Sequence, residues 1–229
     1  MDLFFRTSKR RQKVKKINFG VEIESTLRSD HKDDWMNHMR PCRRGAIAVS
    51  ELIESCHDDC SAGVGSAEFI TKVFDEGKCE EFAGQLEDNL INFEMSSKCG
   101  MHIHVDQDAF KSATAFYNVY KFINTAKYDR FIWDIAGRED GAYHERQTPK
   151  QGGYNHKYQR LSKRDAYNTY EFRLFQSTKN KDSVMRYFEF IKILVTMTNA
   201  DCKLTDATIM DYASENSETF PYLNDFFQE

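Results

Sequence analysis

Apolar and polar residues alternate with period two along residues 17–25, INFGVEIES. Phe19, Val21 and Ile23 fall on one side, and Gly20, Glu22 and Glu24 on the other. That pattern predicts a half-buried strand, because successive strand side chains point to opposite faces. Residues 66–74, SAEFITKVF, are rich in β-formers and predict a second strand. Residues 99–107, CGMHIHVDQ, predict a third, with Met101, Ile103 and Val105 opposite His102 and His104. Residues 167–178, YNTYEFRLFQST, predict a fourth, with Tyr170, Phe172 and Leu174 set against Glu171 and Arg173.

Between the strands the apolar period lengthens. Phe82, Leu86, Leu90 and Phe93 recur at helical intervals over 76–93, with acidic residues on the other face. A long amphipathic helix is predicted over 111–135 from Phe116, Val119, Tyr120, Ile123 and Phe131, with Gly137 ending it. Residues 137–164 lose periodicity and fill with Gly, Arg, Lys, His and Tyr, which predicts a long loop or lid. A helix over 182–199 places Val184, Phe188, Ile191 and Val195 on one face. The tail from Leu204 reads as helical, and its FPYLNDFF segment as docking on the core. Strands with one polar face argue against a doubly wound parallel sheet, whose strands are buried on both sides. The expected fold is α+β, an antiparallel sheet with helices on its apolar face.

Composition adds bounds rather than identity. The chain has 229 residues, 40% hydrophobic and 14% aromatic, enough for one sizeable core. A single domain is expected over 17–229, preceded by a basic arm at 1–16 that reads as solvated. A formal net charge of −4 gives no global electrostatic case for nucleic-acid binding. No run of 18 apolar residues and no secretory pattern is present, so a soluble, cytoplasmic protein is expected. The scattered cysteines Cys42, Cys56, Cys60, Cys79, Cys99 and Cys202 are expected to be free thiols. Zinc at Cys56, His57 and Cys60 lacks a second close Cys/His pair to complete a tetrahedral set.

The polar faces of the predicted strands share a chemistry. The first carries Glu22 and Glu24, the second Glu68, the third His102 and His104, the fourth Glu171 and Arg173. Each taken singly reads as an ordinary solvated face or a cross-strand ion pair. Jointly, on neighbouring strands, they would converge on one surface. Three Glu with one or two His make a ligand set for Mg²⁺ or Mn²⁺. Arg173 would hold phosphate or offset charge during phosphoryl transfer.

The ordered motifs FGVEIE, HDDCSAGVGSAEFIT, CGMHIHVD and YEFRLFQST resemble those of the carboxylate–amine ligase superfamily typified by glutamine synthetase and γ-glutamylcysteine ligase, in particular its small amidoligase branch. The resemblance covers about residues 17 to 179. It implies a curved antiparallel sheet whose cleft binds ATP and two or three divalent ions. Carried over by position, it implies Glu22, Glu24, Glu68, His102 and Glu171 as metal ligands and His104 near the nucleotide phosphates. It implies Arg173 on the transferred phosphate and Arg138, in AGREDGAYH, on substrate or phosphate. Arg160 or Arg164 would add a further cation, and Asp59 lies loosely where the family often has an acidic ligand. The implied activity joins a carboxylate substrate to an amine substrate through an acyl phosphate. Which acid and amine are joined, and whether the chain forms a homo-oligomer, stay open. So do three rivals: a phosphotransferase on the same sheet, a metal-dependent phosphodiesterase using the basic arm, and a non-catalytic nucleotide- or protein-binding relative. Formation of an amide separates the ligase from the first two.

Overall fold

The computed structural model describes residues 16–27, 53–59, 66–138 and 159–229. The basic arm before Lys16, most of the expected lid and part of AGREDGAYH lie outside the described residues. The strands are β1 (Asn18–Leu27), β2 (Ile53–Asp59), β3 (Ser66–Thr71), β4 (Phe74–Asp75), β5 (Phe93–Glu94), β6 (Gly100–Asp106), β7 (Leu161–Arg164) and β8 (Thr169–Gln176). The helices are α1 (Cys79–Asn89), α2 (Ala113–Ile123), α3 (Asp129–Ala136), α4 (Lys181–Asn199), α5 (Asp206–Glu215) and α6 (Pro221–Gln228). One open antiparallel sheet runs in the order β2-β3-β1-β6-β8-β7, with the short β4 and β5 also pairing with β1. The fold is therefore α+β, as the one-sided strands predict.

The predicted apolar faces form the core. Phe19, Val21, Ile23, Met101, Ile103, Val105, Phe172 and Leu174 are all buried. The 19-residue helix α4 is the centre of the helical layer and packs against each of the other five helices. Its Phe188 ring lies 4.9 Å from Phe19 and 5.9 Å from both Phe74 and Phe82, tying α4 to the sheet and to α1. Among the described residues no helix is long and apolar enough to cross a membrane.

Several boundaries differ from expectation, each for a local reason. The helix expected over 111–135 is two helices. Asn124 Nδ2 donates to the Tyr120 carbonyl and Thr125 Oγ1 to the Lys121 carbonyl, satisfying the end of α2 before α3 starts. Helix α1 stops at Asn89, because Phe93 and Glu94 pair with Leu27 and Thr26 as β5. Leu161–Arg164, read as loop, is an edge strand against β8. Strand β2 was not expected at all, since IESCHDD carries little apolar signal. Cys56 within it is disulfide-bonded. This corrects the expectation of six free thiols and removes a thiolate from the zinc alternative. Linear spacing does not reveal which cysteines folding brings into bonding reach.

Gly137 does end α3, in the left-handed conformation with φ +67°. A Cβ there would lie 2.9 Å from Tyr187 Oη, so both backbone and space call for glycine.

The C-terminal segment docks through a buried carboxylate. Glu189 of α4 accepts a 2.7 Å hydrogen bond from the Leu223 amide in the first turn of α6. Burial pushes its carboxyl up to about 7, although the Leu223 and Tyr222 amides and Lys192 oppose the shift. The folded state therefore binds this proton more tightly than the unfolded chain does. The associated stability is present below pH 4.5 and is lost as pH rises through 7, by ~3 kcal/mol at most. Glu189→Gln keeps an oxygen for the Leu223 amide and is expected to flatten this decline. Urea denaturation at several pH values between 4.5 and 8 reads it; a parent and variant with parallel profiles would contradict the assignment.

Candidate metal and phosphate site

The four chemistry-bearing strands lie side by side, in the order β3-β1-β6-β8. Register then decides which polar residues meet. Glu24 pairs with Glu68 across β1 and β3, Glu22 with His102 across β1 and β6, and His104 with Glu171 across β6 and β8. Paired residues in an antiparallel sheet share a face, so these side chains form a cluster rather than a row of isolated charges.

His102 sits at its centre. Its Nδ1 lies 3.3 Å from Glu22 Oε2 and 3.7 Å from Glu171 Oε1, and its Nε2 3.7 Å from Glu24 Oε1. Two groups of potential ligand atoms result, Glu22–His102–Glu171 and Glu24–Glu68–His102. Within each group the atoms lie within 4.8 Å of one another. His104 Nε2 lies 3.1 Å from Glu22 Oε1, while its Nδ1 lies 3.1 Å from Thr169 Oγ1.

Glu171 is fully buried, at 0% exposure, yet it keeps its charge. Burial raises its carboxyl, but Arg173 and Arg164, with the two histidines, more than reverse that and hold it below the usual range. Arg173 Nη1 and Arg164 Nε both bond it, and Ser162 Oγ donates to Oε2 at 2.8 Å. Glu22 behaves in the same way. Burial pushes its carboxyl up, while hydrogen bonds and charge from His102 and His104 hold it far below the usual carboxylate range. The cluster thus presents anionic oxygens at neutral pH, which hard divalent cations require.

Arg138 closes the opposite end. Its Nη2 donates to the Cys99 carbonyl at 3.2 Å, and burial pulls its guanidinium down to about 10, with Glu24 opposing. Gly100 makes this approach feasible. A Cβ at Gly100 would lie 2.7 Å from Arg138 Nη2, 3.1 Å from His102 Nε2 and 3.2 Å from Glu24 Oε2. The Gly100 amide also donates to Glu24 Oε2 at 2.6 Å, aiming that carboxylate.

Of the residues singled out from the sequence, Glu22, Glu24, Glu68, His102, His104, Glu171, Arg138, Arg164 and Arg173 lie in or beside this cluster. Arg160 does not. Its buried guanidinium donates to the Ile123 carbonyl at 3.0 Å and to Asp129 Oδ1 at 2.8 Å, and lies 4.3 Å from the Trp133 ring. It clamps the chain before β7 to the α2–α3 junction, so of Arg160 and Arg164 the structure brings only Arg164 to the cluster. Asp59 ends β2 opposite Ser66, one strand further out than β3. Ser162, Thr169 and the Gly100 amide were missed by sequence reasoning. Gly100 carried a signal, since period two puts a glycine on the same face of the strand as His102 and His104, whereas Ser162 and Thr169 acquire partners only through register.

No protein-family model and no curated protein matches this sequence. Among solved structures, a Plasmodium falciparum glutamine synthetase determined by cryo-electron microscopy is 11% identical, with a TM-score of 0.49. The match covers 81% of this chain and 52% of that one, so the chain spans about half the length of that protein. A likeness of this size carries no argument about activity.

Proposed function

We propose that the chain is an ATP- and divalent-metal-dependent carboxylate–amine ligase, forming an amide through an acyl phosphate. The observation that carries this reading is His102, one imidazole shared by two carboxylate groups, with Arg164 and Arg173 on the buried Glu171. It joins the ordered motifs that resemble the amidoligase branch. The donor set fits the ions expected: mostly carboxylate oxygen, one imidazole, no thiolate, which suits Mg²⁺ or Mn²⁺ better than zinc. Glu22, Glu171 and the unprotonated nitrogen of His102 would hold one ion, and Glu24 and Glu68 would serve a second, with the protonated His102 nitrogen donating a hydrogen bond to that group. When bound, such ions offset the negative charge of a nucleotide's phosphates.

The protein's own groups do the rest. A substrate carboxylate oxygen attacks the γ-phosphorus of ATP, and ADP leaves. The acyl phosphate is then attacked by a neutral amine; the carbon–oxygen bond breaks, phosphate departs, and the nitrogen loses a proton. Arg173, presented by β8 and braced by Glu171, offers a planar pair of donors to the equatorial oxygens of the transferred group. Arg138 remains cationic at neutral pH, on the Glu24 side of the cluster, where it suits the carboxylate substrate. His104, oriented by Glu22 and Thr169, suits the nucleotide phosphates.

The test is calorimetric titration of ATP into the full chain, with Mn²⁺ or Mg²⁺ and again after chelation. Binding that requires the metal is expected, followed by ADP release when acids and amines are supplied together. Metal-independent binding, or none at all, would remove the ligase reading.

A further inference from the structure

The cavity of about 410 Å³ beside the cluster has a chemistry different from the cluster itself. It lies between the start of β1, the chain after β3 and the turn at Tyr167–Thr169. Glu22 and His104 belong to both its lining and the cluster, so it adjoins the candidate reaction centre. Apolar side chains line it as well: Ile70, with Val73 and Tyr167 left 71% and 73% exposed. Large apolar side chains held in solvent around a partly polar cavity mark a place where a ligand covers them.

Its charges all have one sign. Glu22, Glu54 and Asp106 line it, and no Lys or Arg does among the described residues. Asn18 Nδ2 donates to Asp106 Oδ2 at 2.6 Å, which fixes the carboxylate's orientation. Arg164 and Arg173 are bonded to Glu171, and Arg138 lies over Gly100. The Glu54 and Asp106 carboxylates on this lining attract ammonium.

We propose that this cavity seats the amine substrate, and that an aliphatic diamine is the class it fits best. One nitrogen, neutral, lies beside Glu22 and His104 and attacks the acyl carbon. The second stays protonated against Asp106, and the methylene chain lies along Ile70, Val73 and Tyr167. This inference rests on the ligase reading for the fate of the inner nitrogen; the binding of the diamine does not depend on it.

Calorimetry on the full chain tests it with 1,4-diaminobutane, and with n-butanol as the uncharged control of similar length. The diamine is expected to bind and the alcohol not to. Asp106→Asn keeps the shape and the Asn18 contact but removes the charge; it should weaken the diamine by about tenfold or more, the scale of one charge-assisted hydrogen bond. Tyr167→Ala, at an exposed position where folding is not at stake, should weaken it severalfold through lost apolar contact. Absence of diamine binding, or equal binding of n-butanol, would overturn the proposal. So would an Asp106→Asn variant that loses Mg²⁺–ATP and not diamine, because that result assigns the cavity to the nucleotide base. The two readings fail separately. Diamine binding without any Mg²⁺–ATP binding by the parent leaves the amine site standing and sinks the ligase; the reverse pattern does the opposite.

Discussion

Glu171→Gln is expected to cost the cluster its divalent cation, with Mn²⁺ affinity at that group falling by about a hundredfold or more. Glutamine preserves the side-chain shape and removes the charge that two guanidiniums and two imidazoles surround. Its amide nitrogen would face Arg164 or Arg173, donor against donor, in a site with no exposure to water. Removing one member of a buried ionic group typically costs about 3–5 kcal/mol, because the partners stay buried without it. The thermal midpoint should therefore fall together with metal affinity. Circular dichroism at low temperature separates the two effects by showing whether the variant is folded when Mn²⁺ is titrated. A folded variant with parental Mn²⁺ affinity would remove Glu171 from the ligand set.

His102→Ala should act on both cation positions at once. Its imidazole is the one group common to Glu22–His102–Glu171 and Glu24–His102–Glu68, so its loss removes a ligand nitrogen from one and a hydrogen-bond donor from the other. Glu68→Gln touches only the second group. Counting bound Mn²⁺ by electron paramagnetic resonance should therefore show two ions on the parent, one on Glu68→Gln, and weakened binding at both positions on His102→Ala. The geometry is sharp enough for this pattern to fail. If His102→Ala loses one ion and retains the other at full affinity, the imidazole is not shared. If Glu68→Gln loses both, the two positions are not separable.

Motif order nominated Glu22, Glu24, Glu68, His102 and Glu171 as ligands without saying how they divide. Register divides them into two groups hinged on His102. The same face of β6 explains the glycine at 100: the position must pass under Arg138 and direct an amide at Glu24.

Much was legible in the one-dimensional pattern. Period-two alternation in INFGVEIES, CGMHIHVD and YEFRLFQ determines three strands and their buried faces, because every second side chain must leave water. Helical spacing likewise determines α1, α2 and α4, and the glycine at 137 the end of α3. What alternation does not encode is which strand lies beside which. Pairing β6 between β1 and β8 joins segments some 80 and 70 residues apart through backbone hydrogen bonds, which are blind to side-chain identity. For that reason Ser162, Thr169 and the acid-lined cavity were invisible in the sequence. For the same reason Arg160, a plausible cation by position, turned out to serve the helical layer. The sequence by itself determined which faces are apolar and which residues carry chemistry; only the tertiary structure decided which of those residues meet, because proximity between strands is a property of register and not of any one segment.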